Sequence, residues 1–200
     1  MPAKRSNLNE DFKDFEKLLT RETKLELLSI MLKYSKPIGK AVKYANSYEF
    51  DVLLGKAVET KEFRDLALYL MIAGMSQQDA FESINKLIKA NFSSALKYES
   101  KESAGSLIDM LSEFKNVFPK ENMKKLFDEK MKTSQAYKNF YLHLHSKEVK
   151  QMLSAFLMTP EAQDLIRSSN QNGLPLVELV DFCLFSVGLK FDPEECHNSA

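Results

Sequence analysis

Slid 99 positions along itself, this sequence meets its own pattern again without a gap, from about residue 8 to about residue 88. Leu8 falls on Leu107, Phe15 on Phe114, Glu22 on Glu121, Leu27 on Leu126 and Ser35 on Ser134. Farther along, Ser47 and Glu49 fall on Ser146 and Glu148, Thr60 and Glu62 on Thr159 and Glu161, Asp65 and Leu66 on Asp164 and Leu165, and Gly74 on Gly173. A chain doubled in this way carries one structural unit twice. Each copy can then close its apolar faces against the other.

The unit is helical. After Ser47 the apolar positions are Phe50, Leu53, Leu54, Ala57 and Val58, which trace one stripe of an α-helix. After Ser146 the same offsets hold Val149, Met152, Leu153, Phe156 and Leu157. Phe63, Leu66, Ala67, Leu70 and Met71 form another stripe, whose counterpart starts with Ala162, Leu165 and Ile166 and then turns polar. Ile38, Ala41, Val42 and Ala45 correspond to the bulkier Tyr137, Phe140, Tyr141 and Leu144. Period-two alternation is nowhere sustained, so strands are not expected.

The punctuation agrees. Ser35, Ser47, Thr60, Ser76, Ser134, Ser146 and Thr159 stand where N-caps belong, since their oxygens can take an orphan N–H of the first turn. Glu49, Glu62, Glu148 and Glu161 sit at the positive helix ends. Ser76 with Asp79 resembles a capping box. Pro37 and Pro160 fall in first turns, and Gly74 and Gly173 suit helix C-termini. The pattern predicts six short helices per copy, about twelve in all. They start near Asn9, Thr20, Ser35, Ser47, Thr60 and Ser76, then near Ser106, Pro119, Ser134, Ser146, Thr159 and Leu174. Repeat 1 is expected over 8–90, a serine-rich connector over 91–105, repeat 2 over 106–190 and a frayed tail over 191–200, with both repeats in one globular unit.

Composition narrows the function. Hydrophobic residues make up 44% of the chain and charged residues 28%, ordinary for a globular protein with a sizeable core. The formal net charge is +0 and neither half is strongly basic, so nucleic acid is a poor partner. No apolar run reaches the roughly 18 residues needed to cross a membrane, and no secretory leader opens this numbering. Asn91-Phe92-Ser93 is a glycosylation sequon, meaningful in a secreted chain. Two cysteines, Cys183 and Cys196, are too few for a disulfide scaffold. Cys183, in an apolar run, is expected to pack as a small hydrophobe; a bridge to Cys196 stays open.

Catalytic and metal signatures are weak. His143, His145 and Glu148 form a His-x-His-x-x-Glu, but positions i and i+2 of a helix point about 200° apart, so one metal cannot take both histidines. A surface or capping role fits better. A Cys–His pair is disfavoured by the apolar setting of Cys183. There is no Gly-rich phosphate loop and no G-x-S-x-G, and the carboxylates at helix starts are explained by capping. Lys124, Lys125, Lys130 and Lys132 read as a solvated face, with contact to anionic head groups as the alternative. The chain is therefore not expected to be an enzyme or to carry a metal or cofactor.

The stretches AVKYANSYEFDVLLGKAVETKEFRDLALYLMIAG (41–74), HLHSKEVKQMLSAFLMTPEAQDLIRSSNQNG (143–173) and LIDMLSEFKNVFPKENMKKLFDEKMKTSQAYKNF (107–140) resemble the insect allergen-related repeat family. The resemblance covers nearly all of 8–190 and lies in spacing and doubling rather than in a catalytic signature. It implies a globular shell of two six-helix repeats around a large hydrophobic cavity that takes fatty acids or phospholipid acyl chains. It also implies secretion into the insect gut lumen or a place on the microvillar surface, as a monomer that exchanges lipid with membranes. Under that reading the cavity wall from the first copy comprises Leu27, Met31, Ile38, Val42, Leu54, Val58, Leu66, Leu70 and Ile84. From the second copy it comprises Leu126, Met131, Tyr137, Phe140, Tyr141, Leu153, Phe156, Leu165, Val180 and Leu184. Nine Met and fourteen Phe suit a deformable lining. The alternatives are a helical-repeat interaction scaffold and a nitrile-specifier-type detoxification factor.

Overall fold

The computed structural model describes residues 8–72 and 105–191, and among these every regular element is an α-helix. The first copy supplies α1 (Leu8–Lys17), α2 (Arg21–Lys33), α3 (Ser35–Ala45), α4 (Tyr48–Val58) and α5 (Lys61–Ile72). The second supplies α6 (Leu107–Val117), α7 (Lys120–Thr133), α8 (Gln135–Leu144), α9 (Lys147–Leu157), α10 (Pro160–Gln171) and α11 (Leu176–Ser186). Each helix of the first copy recurs in the second at the displacement read from the sequence. The counterpart of α11, with Ser76, Asp79, Gly74 and Ile84, lies outside the described residues, as do most of the connector and tail.

Local chemistry sets the boundaries. The side chains of Ser47, Thr60, Ser146 and Thr159 accept from Phe50 N, Phe63 N, Val149 N and Ala162 N at 3.2–3.3 Å. Thr20 caps α2 in the same way, and Ser106 with Asp109 forms a reciprocal capping box on α6. Gly173 closes α10 at φ +79, a conformation that favours glycine, and Leu174 N reaches back to Ser169 O at 2.8 Å. Ser35 departs from the expectation. The cap of α3 is Tyr34, which is also the C-cap of α2, at φ −102 and ψ 21. No extended residue separates the two helices, so a serine cap has no place to form. In the second copy Ser134 is extended, at φ −110 and ψ 107, and caps α8.

The copies face each other through reciprocal pairs. Helix α1 packs on α7 while α6 packs on α2; α4 packs on α10 while α9 packs on α5. Displacement by one repeat converts each pairing into its mate, which is a pseudo-twofold arrangement. Two dense clusters fill the space around the first set. One gathers Tyr34, Ile38, Ala41, Tyr44, Met110, Phe114 and Phe182 with neighbours. The other gathers Phe15, Met123, Phe127, Tyr137, Phe140, Tyr141 and Leu189. Phe118 and Phe185, 5.7 Å apart between ring centres, belong to both and join them.

Candidate functional site

The residues expected to form one cavity wall separate into three groups. Leu27, Met31, Ile38 and Val42 join the first dense cluster, and Leu126, Met131, Tyr137, Phe140, Tyr141 and Leu184 the second. Leu54, Val58, Leu66, Leu70, Leu153, Phe156 and Leu165 lie instead on α4, α5, α9 and α10. Val180 is 49% exposed on α11, and Ile84 is outside the described residues.

Tyr137 and Tyr141 show what the second cluster does with such residues. With Phe140 they keep 0–5% of their surface and pack among the rings of that cluster. Their hydroxyls donate to Val187 O and Phe191 O, each at 2.8 Å, and His145 Nε2 lies 2.9 Å from Leu189 O. Three side chains spaced four apart, two on α8 and one at its C-cap, thus fasten the turn that follows α11. Gly188, in that turn at φ +76, passes so close that a Cβ would lie 2.4 Å from the Phe15 ring. Burial pushes the Tyr137 hydroxyl far up. Sequence periodicity marks the apolar rings but not the hydroxyl partners, which come from a distant turn.

The four-helix layer of α4, α5, α9 and α10 differs in kind. Apart from Phe50, none of its residues joins either dense cluster. Its buried side chains are few: Ala57, Leu66, Val149, Ala162, Leu165 and Ser169. Leu68, Met71, Leu153 and Met158 are 58%, 44%, 42% and 73% exposed, and Leu54, Val58, Leu70 and Phe156 are half-buried. Large apolar side chains on facing helices therefore keep surface that a further apolar group can cover.

The layer is also asymmetric. Phe63 on α5 and Phe156 on α9 meet with ring centres 5.4 Å apart. Their repeat counterparts, Ala162 on α10 and Ala57 on α4, are both fully buried. The polar edges correspond as well. Tyr44 donates to Ser168 Oγ at 2.8 Å and Ser168 Oγ to Glu49 at 2.7 Å, where the mate pair is Tyr69 against the His143 ring at 5.9 Å.

The remaining candidates resolve plainly. His143 Nδ1 lies 2.8 Å from Asn139 O, and no group of three metal-ligating side chains converges among the described residues. Cys183 is partly buried, which pushes its thiol up; Cys196 lies outside the described residues. Lys125 and Lys132 are exposed, but Lys130 is not part of a solvated face. It lies on the buried stripe of α7 with Met123 and Phe127 and binds Asp11 and Asp14. No described helix is long and apolar enough to cross a membrane.

These features define an all-α protein of two facing repeats, with a dense core on one side and an under-buried apolar layer on the other. The chain belongs to the family described as insect allergen related repeat, nitrile-specifier detoxification, whose model matches residues 7–180. It is 28% identical over 180 residues to Protein G12 of Anopheles gambiae, covering 87% of this chain and 84% of that one.

Proposed function

We propose that the protein binds lipids without strict selectivity, taking acyl chains of fatty acids or phospholipids against the layer of α4, α5, α9 and α10. The observation that carries this reading is the apolar surface that Leu54, Val58, Leu70, Leu153 and Phe156 keep among the described residues, beside two densely packed clusters. Each methylene withdrawn from water contributes about 0.8 kcal/mol, so a palmitoyl-length chain gains roughly 10 kcal/mol before ordering costs. Such a gain depends on length and shape, not on head-group chemistry. In this reading the protein works as a monomer without cofactor, carrying or sequestering lipid in the insect digestive tract, secreted or at the microvillar surface, and exchanging lipid with membranes.

Lipid mass spectrometry of the purified protein tests the reading. Acyl-chain ligands should be present, and Phe156→Ala should change the bound chain-length distribution. A protein that carries no acyl chain and takes none up after delipidation would refute it. The family description supports a second reading, that the chain acts in nitrile-specifier detoxification. A shifted nitrile yield on adding it to a myrosinase assay would favour that role. An elongated interaction scaffold is disfavoured by the reciprocal pairing of the copies, and solution scattering would reveal one.

A further inference from the structure

Helices α5 and α9 pack antiparallel. Phe63 meets Phe156 near one end, and Tyr69 meets His143, just before α9, near the other. The buried Val149 lies two turns before Phe156 and so shares its side of α9. Arg64 follows Phe63 by one residue, and Lys150 follows Val149 by one residue. A step of one residue turns a helix by about 100°. On antiparallel neighbours, equal turns away from the contact line point to the same side of the pair. Arg64, Leu68 and Met71, at i, i+4 and i+7, therefore share one face with Lys150, Leu153 and Leu157, at i, i+3 and i+7.

All but the half-buried Leu157 are exposed on that face. Arg64, Lys150 and Lys147, one turn earlier on α9, form no ion pair among the described residues. Glu62 and Glu148 precede the contact residues and so fall on the opposite side, and Asp65 is held by Lys61. The repeat displacement maps this face onto α10 and α4. There Gln163, Arg167 and Asn170 stand for Arg64, Leu68 and Met71, and Asp51 stands for Lys150. Arg167 is paired with Asp164. Large apolar side chains and unpaired cations thus coincide on one of the two related faces and not on its mate.

An exposed apolar patch bordered by unpaired cations is complementary to a surface that is negative outside and apolar beneath. We propose that the α5–α9 face docks on bilayers containing anionic lipids, with Leu68, Met71 and Leu153 against the acyl region and Arg64, Lys147 and Lys150 among the head groups. Leu153 also belongs to the acyl-binding layer, so docking sets that layer against the bilayer. Lipid exchange through this face rests on the lipid-binding reading above; docking itself does not.

Flotation of the full chain with vesicles of phosphatidylcholine, alone or mixed with phosphatidylglycerol, tests the proposal. The chain should float with the mixed vesicles and far less with the neutral ones, and the difference should shrink as salt rises. Arg64→Gln and Lys150→Asp copy the mate face at exposed positions, so the fold should tolerate them. Arg64→Gln should weaken binding about fivefold, the share of one cation near an anionic surface, and Lys150→Asp by more, since it reverses the charge. Met71→Asn, which removes apolar area and no charge, should weaken binding and keep its salt dependence. Arg167→Gln, on the mate face, should leave binding unchanged. Equal binding to neutral vesicles, or unchanged binding when Arg64→Gln and Lys150→Asp are combined, overturns the proposal. A dimer that these same substitutions separate would assign the face to a second copy and overturn it as well. Acyl-chain content is measured apart: a chain that floats with the mixed vesicles but carries no lipid sustains docking and sinks the lipid-binding reading alone.

Discussion

The seam between α1 and α7 and its mate between α6 and α2 are built from equivalent positions with opposite chemistry. In the first, Lys130 Nζ donates to Asp11 Oδ1 at 2.9 Å and also to Asp14, while Ser134 Oγ donates to Asp11 Oδ2 at 2.6 Å. Asp11 is 3% exposed. In the second, Met110 occupies the position of Asp11 and Met31 that of Lys130, and both belong to a dense apolar cluster. Glu113, the counterpart of Asp14, accepts instead from Lys33 at 2.6 Å and Tyr34 at 2.7 Å near the surface. Duplicated repeats carry a hazard of mispairing, because each helix has two near-identical partners. Joining α1 to α2 and α6 to α7 would set Asp11 against Met31 and Lys130 against Met110, each charge buried alone. Burying either charge alone would penalise that alternative pairing, as polar groups penalise wrong registers in coiled coils.

The largest expected effect comes from breaking one side of that seam. Lys130→Met leaves Asp11 buried without its cation and should cost about 3–5 kcal/mol in chemical denaturation. On the apolar seam, Met110→Ala should cost about 2–5 kcal/mol by opening a cavity at a fully buried site. The double variant Asp11→Met with Lys130→Met copies the methionine seam onto the ionic one. It should recover most of the single-variant loss, since well-packed apolar replacements of buried pairs are often neutral. It should also form swapped dimers on size-exclusion chromatography after refolding at high concentration. A strictly monomeric double variant would remove the specificity argument.

Smallest is the pH response. The hydrogen bond from Lys130, helped by Lys17, holds the Asp14 carboxyl below its ordinary 3.8. Its contribution is present above that value and is lost as pH falls through the lower folded-state value. Burial alone would lower Lys130, but its bonds to Asp14 and Asp11 outweigh burial and hold it above 10.5. That contribution is complete below 10.5 and fades as pH rises through the folded-state value. Melting curves across both ranges should flatten in the double variant relative to the parent.

Much of this was legible in the chain. Ser47, Thr60, Ser146 and Thr159 act as caps because an N-cap is a contact over three residues, and the repeat displacement located helices on both sides. The grouping of the apolar stripes was not legible. A stripe states that a helix has a buried face but not which partner meets it, so Tyr137 and Leu153 looked alike. One is sealed against the C-terminal turn and the other keeps 42% of its surface. A signal for the polar seam did exist. Asp11 and Lys130 fall on methionines in the other copy, so this departure between otherwise matching copies marks the ionic seam.

By itself the sequence determined the helical class, the doubled unit, the caps and most helix boundaries, because those depend on neighbours a few residues away. Tertiary structure decided which helices pair across the copies, which apolar residues are sealed and which stay open, and which carboxylate meets a buried cation. Those outcomes rest on contacts between residues as distant as Asp11 and Lys130, which only the closed fold brings within hydrogen-bond reach.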